Sequence, residues 1–281
     1  MGFVTMHTTL ITPAELSTHL GNSRWVVVDC RFDLANTAWG EEQYAVGHIP
    51  GARYAHLDRH LSGAKTGTNG RHPLPTIDEM TTRFGAMGIG PDTQVVTYDA
   101  DSGMYAARLW WMLRFMGHDA VAVLDGGLAR WVAEGGMLQP GRVTPTPARF
   151  EAAPRANWRL TVEDAVAAGE SLMVDARSPE RFRGLNETLD AVGGHIPGAR
   201  NYFFQQNLTE DKTFKPADAL RAQWDAVLLG RPPAEVVMYC GSGVTACHNL
   251  LAMEVAGLPG CRMFPGSWSE WSADPTRPVE T

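Results

Sequence analysis

The sequence predicts an α/β protein that contains two copies of one unit. Short runs rich in valine, isoleucine and leucine alternate with stretches of helical character, which is typical of a mostly parallel sheet flanked by helices. Four motifs from the first half of the chain recur in the second half, and a proline-rich segment separates the halves. With 281 residues, the chain is long enough for two domains of ordinary size.

The four repeated motifs give the clearest evidence for duplication. They are residues 26–31 (VVVDCR) with 172–177 (LMVDAR), 47–53 (GHIPGAR) with 194–200 (GHIPGAR), 95–99 (VVTYD) with 236–240 (VVMYC), and 124–131 (LDGGLARW) with 264–271 (FPGSWSEW). The offset is 146 from Asp29 to Asp175 and 140 from Trp131 to Trp271. An offset this constant across separate motifs indicates duplication of a whole domain rather than a solenoid repeat.

The proline-rich segment marks the predicted domain boundary. Pro140, Pro145 and Pro147 lie close together and Pro154 follows them, a composition that favours an extended linker over helix or sheet. We therefore predict an N-terminal domain over residues 1–138, a linker over 139–156 and a C-terminal domain over 157–281.

Several local patterns predict individual elements. Thr12 precedes Pro13 and lies three residues before Glu15, which is the pattern of a capped helix start, and Thr161 with Asp164 repeats it. The two GHIPGAR segments predict turns that lead into short strands. The strongly apolar stretch 108–116 (RLWWMLRFM) predicts a helix buried in a core or at a domain interface.

Composition excludes several classes of function. The formal net charge of −7 argues against a nucleic-acid partner, which requires a basic patch. No apolar run is long enough to span a membrane, and the N-terminus lacks the pattern of a secretory signal. The four cysteines show no metal-ligand spacing. We therefore expect a cytoplasmic protein with reduced thiols and no membrane partner.

Cys240 is the candidate nucleophile. It follows an apolar run that predicts a buried strand, and it precedes a loop and a helix near whose N-cap Thr245 is expected. Gly241 and Gly243 allow the loop to curl around the sulfur. The loop N–H groups and the helix dipole then favour the reactive thiolate. The alternative is a buried structural cysteine whose glycines serve only the turn.

The same loop excludes a cysteine phosphatase. Such a phosphatase needs an arginine that closes the loop and grips the phosphate with two hydrogen bonds. Here the closing residue is Ala246, and the loop from Gly241 onward contains no Lys or Arg. A small group that is neutral or singly charged is therefore the better fit on this sulfur.

The loop from Cys240 to Ala246 (CGSGVTA) resembles the active-site loop of the mercaptopyruvate sulfurtransferases in the rhodanese superfamily. Thiosulfate-specific members of that superfamily usually carry basic residues just after the cysteine, whereas this loop continues with Gly241 and Ser242. The resemblance implies two tandem rhodanese-like domains, each with a mostly parallel sheet flanked by helices. Asp99 stands where the first copy would need its cysteine, and it cannot carry a transferable sulfur, so we expect that domain to be inactive.

The resemblance also implies roles for residues outside the loop. Arg181 matches the substrate-binding arginine of the family, and Arg183 is a secondary candidate. The family often has a second substrate arginine at a position where this chain has Asp190. The implied catalytic set is Cys240 with Ser242, His72 and Asp58, and the implied substrate-binding part of the loop is Gly241, Gly243, Val244 and Thr245.

The resulting hypothesis is a sulfurtransferase that needs no metal or organic cofactor. Cys240 is expected to take a sulfane sulfur from 3-mercaptopyruvate as a persulfide and to pass it to a thiol such as thioredoxin, or to cyanide. One alternative is a thiosulfate:cyanide sulfurtransferase with the same intermediate. An alternative of another class is a non-catalytic sulfur-carrier or binding module.

Overall fold

The structure, a computed structural model, describes residues 6–169 and 171–281. These residues form two compact units. The first unit contains residues 6–61, 75–155 and 211–213, and the second contains residues 62–74, 156–210 and 214–281 without residue 170. The second unit thus includes a segment, residues 62–74, that belongs to the first half of the sequence. The predicted domain limits at 138 and 157 stay a prediction.

The first unit contains a five-stranded sheet in the order β1-β5-β4-β2-β3, and all of its strand pairs are parallel. Its elements are β1 (Leu10–Ile11), α1 (Pro13–Ser17), β2 (Trp25–Asp29), α2 (Trp39–Val46), β3 (Arg53–Tyr54), α3 (Leu57–His60), α4 (Ile77–Ala86), β4 (Gln94–Tyr98), α5 (Ala106–Phe115), β5 (Val121–Leu124) and α6 (Gly127–Ala133). The α/β class predicted from the sequence is confirmed.

The second unit contains a four-stranded parallel sheet in the order β7-β6-β8-β9. Its elements are α7 (Val162–Val166), β6 (Leu172–Asp175), α8 (Pro179–Phe182), β7 (Arg200–Asn201), α9 (Ala217–Leu228), β8 (Val236–Tyr239), α10 (Thr245–Val255), β9 (Arg262–Met263) and α11 (Ser267–Trp271). Short 3₁₀ turns occur at Ala156–Trp158, Phe204–Asn207 and Pro233–Glu235.

Apolar residues of the central strands form the core of each unit. Every residue of β2, β4 and β8 is buried, as expected for strands that are covered on both faces. Nine of the ten residues of α5 are also buried, which confirms the predicted buried helix. The predicted helix starts at Thr12 and Thr161 are confirmed as well, since each threonine forms a capping box.

A buried ion pair explains why the motif Asp-x-Arg recurs. Arg31 forms an ion pair with Asp29 at 2.6 Å, and Arg177 forms one with Asp175 at 2.7 Å. Each arginine also donates to the carbonyl at the start of the following GHIPGAR turn, at 2.7 Å and 2.6 Å respectively. The pair therefore ties the end of a central strand to that turn, and loss of one partner would leave a buried charge uncompensated.

Candidate active site

Cys240 lies at the carboxyl end of a central strand. Strand β8 ends at Tyr239, Cys240 follows directly, and helix α10 begins at Thr245. The cysteine is only 2% exposed. The predicted strand, loop and helix around Cys240 are thus present, at the edge of the sheet where parallel α/β proteins bind their ligands.

The N-terminus of α11 fixes the backbone of the Cys240 loop. The N–H groups of Trp268 and Ser269 donate to the carbonyls of Cys240 and Gly241, both at 2.9 Å. The Cys240 N–H donates to the hydroxyl of Ser267 at 3.1 Å. With those carbonyls held by α11, the loop turns an N–H inward, and that of Gly243 donates to Cys240 Sγ at 3.1 Å.

The corresponding loop of the first unit shows which kind of group these backbone N–H donors accommodate. There the carboxylate of Asp99 accepts the N–H groups of Gly103 at 2.9 Å, Tyr105 at 2.8 Å and Ala106 at 3.2 Å. Burial raises the pKa of Asp99, and these three donors offset part of that effect. The loop backbone therefore directs several N–H groups at one acceptor, which in the first unit is the side chain of Asp99.

Thr245 lies next to the N-cap of α10, as predicted, but it is not the capping residue itself. Thr245 is the first residue of α10, and Val244 occupies the N-cap without a side-chain hydrogen bond. In the first unit, Asp99 satisfies the N–H groups at the start of α5. In the second unit the equivalent position is Cys240, so the helix start faces a sulfur atom in place of a capping oxygen.

His72 and Ser242 are brought together beside the nucleophile. His72 Nδ1 lies 2.7 Å from Ser242 Oγ, and both residues are buried. The segment that carries His72 is held by Gly70 and Arg71. Gly70 has φ +85°, and a Cβ there would lie 2.9 Å from the Gly266 carbonyl oxygen. Only glycine permits this close approach at that backbone angle.

Arg71 and Arg181 form a network with Glu187 and Asp190 next to the loop, and Arg177 also lies 3.4 Å from Glu187. Arg181 donates to both oxygens of Glu187 at 3.0 Å and to Asp190 Oδ2 at 3.2 Å. Arg71 forms an ion pair with the other oxygen of Asp190. Both carboxylates are only 5% exposed. Burial alone would raise the pKa of Glu187, but hydrogen bonds from Arg181 and backbone N–H groups lower it, so Glu187 stays ionised.

The network directs both arginines at Gly241. A Cβ on Gly241 would lie 2.7 Å from Arg71 Nη2 and 3.3 Å and 3.5 Å from the terminal nitrogens of Arg181. Sequence reasoning missed Arg71, although two signals pointed to it. The first signal is that Arg71 directly precedes His72. The second is that Asp190, where the family often has an arginine, needs a positively charged partner from another part of the chain.

Two other predicted residues lie in or next to short helices. Arg183 is exposed and forms the C-cap of α8, and no hydrogen bond in the described part of the chain brings its side chain to the loop. Asp58 belongs to α3 of the first unit, where its N–H donates to His56 Nδ1 at 3.1 Å. The catalytic role of Asp58 stays a prediction.

Cys30 and Cys261 lie in surroundings that disfavour a thiolate. All four cysteines of the chain lie in its described part and are free thiols. Burial raises the pKa of Cys30 well above its ordinary value and also raises that of Cys261. Both therefore stay protonated at neutral pH. Within residues 6–169 and 171–281, no group of three or more His, Cys, Asp or Glu side chains is arranged to hold a metal ion.

Comparison with known proteins gives matches along nearly the whole chain. The rhodanese-like domain family matches residues 12–134 and 160–274. The probable 3-mercaptopyruvate sulfurtransferase of Pseudomonas aeruginosa is 44% identical, over 97% of this chain and 98% of that protein. The putative thiosulfate sulfurtransferase SseB of Mycobacterium tuberculosis is 40% identical, over 96% of each. The structure of the Leishmania major 3-mercaptopyruvate sulfurtransferase matches with a TM-score of 0.84 and 31% identity, over 94% of this chain and 74% of that chain.

These matches cover both units and agree with the duplicated sequence. The chain therefore belongs to the rhodanese family. It is a sulfurtransferase, as are its curated relatives, and this assignment favours an enzyme over a non-catalytic carrier or binding module. The predicted fold of two tandem rhodanese-like domains is confirmed.

Proposed function

We propose that this sulfurtransferase takes its sulfur from 3-mercaptopyruvate, carries it as a persulfide on Cys240 and passes it to a thiol. The observation that carries the proposal is the set of groups around one sulfur atom. Two guanidinium groups lie against Gly241, and Ser242, two residues beyond the cysteine, is hydrogen-bonded to His72. A small donor with one carboxylate and one carbonyl group matches both features.

The two arginines are suited to hold the carboxylate of the donor. Among the described residues, Arg71 Nη2 and Arg181 Nη1 have no hydrogen-bond partner, and both lie within 3.5 Å of a Cβ built on Gly241. Asp190 and Glu187 engage other nitrogens of the same groups and keep them in place. A carboxylate can then accept hydrogen bonds from two fixed cations. Such charge-assisted hydrogen bonds are stronger than hydrogen bonds between neutral groups.

The sulfur transfer follows from these positions. The Cys240 thiolate attacks the sulfur of the donor, so an S–S bond forms, the C–S bond breaks, and the electron pair leaves on the enolate of pyruvate. Ser242, hydrogen-bonded to His72, polarises the carbonyl and delivers a proton to the enolate carbon. Asp58 is proposed to assist His72.

The persulfide is then held by the loop until an acceptor arrives. The Gly243 N–H already donates to Cys240 Sγ, and Val244 and Thr245 continue the backbone that curls around it. An acceptor thiolate attacks the outer sulfur, the S–S bond of the persulfide breaks, and the Cys240 thiolate is restored. A protein thiol such as reduced thioredoxin is the proposed acceptor, and cyanide replaces it in an assay.

Thiosulfate is the second candidate donor. The loop itself has no cation, which argued against a dianionic donor, but Arg71 and Arg181 supply two cations beside Gly241. The relative from Mycobacterium tuberculosis also carries the name of a putative thiosulfate sulfurtransferase. The ratio of kcat/KM for the two donors, measured with cyanide as acceptor, tests the choice: we expect mercaptopyruvate to be preferred.

A reducing compartment such as the cytoplasm is the proposed location. All four cysteines are described and free, and Cys240 must be reduced to attack a donor. Within the described ranges, no helix has the length and apolar character needed to cross a bilayer.

The Arg71→Gln and Arg181→Gln variants are each expected to raise KM for 3-mercaptopyruvate by about 10- to 100-fold, with a smaller change in kcat. A hydrogen bond to a charged group contributes about 1.5–3 kcal/mol, and each variant removes one such bond to the carboxylate. Steady-state kinetics of pyruvate formation check this. The Arg221→Gln variant is the control, since it removes a half-exposed arginine from α9. An unchanged KM in both site variants would contradict the proposed carboxylate site.

The Gly241→Ala variant is expected to raise KM by about tenfold while leaving the thermal unfolding temperature unchanged. Its Cβ would lie 2.7 Å from Arg71 Nη2, which is the end of a flexible side chain and can move away. The matched control is Gly90→Ala, whose Cβ meets its nearest atom at 3.5 Å. Equal KM values in Gly241→Ala and wild type would show that the arginines do not bind the donor.

A further inference from the structure

The first unit contains a cavity of about 390 Å³ that sulfur transfer does not use. Its lining is rich in arginine: Arg53 from β3, Arg59 from α3, Arg83 from α4 and Arg142 from the proline-rich segment. The volume lies in the usual range for small-molecule sites, about 300–1,000 Å³.

The cavity concentrates positive charge in a protein whose net charge is −7. The lining holds four guanidinium groups and one carboxylate, Glu41, and Arg83 is also paired with Glu79 at 2.9 Å. Glu41 forms ion pairs with Arg59 and, at 2.9 Å, with Arg142. The hydrogen bond from Arg59 lowers the pKa of Glu41, so it is ionised at neutral pH. Glu41 and Glu79 therefore compensate part of the charge of Arg59, Arg142 and Arg83, and the four arginines still outnumber these two carboxylates.

Arg53 is the arginine of the four whose positive charge is least compensated by neighbouring groups. It is half-buried on edge strand β3, where Nη1 donates to the Gly51 carbonyl at 3.2 Å. Its Nε is buried and has no hydrogen-bond partner within the described residues. Burial also lowers the pKa of Arg53, as expected for a cation removed from water. A buried cation of this kind gains most from an anionic ligand, because the ligand replaces the lost hydration.

His60 adds a neutral donor to the lining. Burial lowers the pKa of His60 to about 4, so its ring is uncharged at neutral pH. Its Nδ1 accepts the His56 N–H at 2.8 Å, and the proton of the neutral ring therefore lies on Nε2. Tyr44 and Tyr54 contribute aromatic surface to the same cavity. The lining thus offers cations, one neutral N–H donor and apolar walls.

We propose that this cavity binds a small organic molecule that carries two or more phosphate or carboxylate groups. Arginine binds both groups with two parallel hydrogen bonds, and several arginines around one cavity select for more than one such group. The tyrosine walls accommodate the organic part of the ligand. The site is independent of Cys240 and goes beyond the proposed sulfur transfer.

Calorimetric titration of the full chain tests the site with three probes: inorganic pyrophosphate, citrate and orthophosphate. We expect pyrophosphate or citrate to bind with a stoichiometry of one, at least about tenfold more tightly than orthophosphate. Preference for pyrophosphate would assign the site to phosphate esters, and preference for citrate to polycarboxylates. Absence of binding by pyrophosphate and citrate at millimolar concentration would overturn the proposal.

Variants locate the binding in the cavity. Arg53→Gln is expected to weaken binding of the preferred probe at least about tenfold, since it removes the least compensated cation. Arg142→Gln should weaken it as well, and its 70% exposed side chain makes loss of folding no concern. The control is Arg221→Gln, which removes an equal charge from α9. Affinity that is equal in wild type and both cavity variants would overturn the proposal, whatever the sulfurtransferase assays show.

Discussion

The Cys240→Ser variant is expected to form no pyruvate from 3-mercaptopyruvate above background, a loss of at least about a thousandfold in kcat. Serine has the shape of cysteine, but its hydroxyl stays protonated and cannot form the S–S bond on which the transfer depends. The loop should remain folded, because its backbone is held by α11 through hydrogen bonds that do not involve the sulfur. Steady-state assays with cyanide as acceptor measure the loss.

Cys261→Ser is the matched control for this variant. Cys261 is also buried, and burial raises the pKa of its thiol, so it is not a nucleophile at neutral pH. We expect this control to keep its activity within a factor of about two, since such a conservative change leaves the site intact. Activity that survives in Cys240→Ser would assign the transfer to another group.

The second large effect is expected for Ser242→Ala, which should lower kcat with 3-mercaptopyruvate by about 10²- to 10⁴-fold. The variant removes the hydroxyl that lies 2.7 Å from His72 Nδ1 and is proposed to deliver the proton to the departing enolate. His72→Asn should have a similar effect. Because the two residues act as a unit, the double variant should be no slower than the slower single variant.

Single-turnover pyruvate formation separates this step from later transfer to the acceptor. The control is Ser272→Ala, which removes a hydroxyl that donates to the Trp268 carbonyl in the same unit. If Ser242→Ala formed pyruvate at the wild-type rate, the proton would have to come from water or another group. Equal loss with thiosulfate would also argue against the proposal, because that donor forms no enolate.

The fold could be predicted because its signals are local or repeated. The runs before Asp99 and Cys240 show apolar character within five residues, and burial on both faces follows from that character alone. The capping box at Thr12 needs only the residues that follow it. The recurrence of Asp29 as Asp175 is explained by the buried ion pair that each copy forms.

The site could be predicted only in part, because its electrostatics depend on contacts distant in sequence. Cys240 and Ser242 lie in one motif, but Arg71 meets Asp190 across more than a hundred residues of chain. No sequence period connects such positions, and only the packing of residues 62–74 into the second unit brings them together. Asp190 departs from the family pattern, and its ion pair with Arg71 gives it a structural role.

The proposed sulfur transfer depends most directly on the persulfide at Cys240, which intact-protein mass spectrometry can detect. The wild-type chain is incubated with 3-mercaptopyruvate without acceptor, and in parallel with thiosulfate. We predict a gain equal to the mass of one sulfur atom from mercaptopyruvate, located at Cys240 by peptide mapping and absent in Cys240→Ser. A gain from thiosulfate alone would contradict the proposed donor, and no gain from either donor would contradict the persulfide mechanism itself.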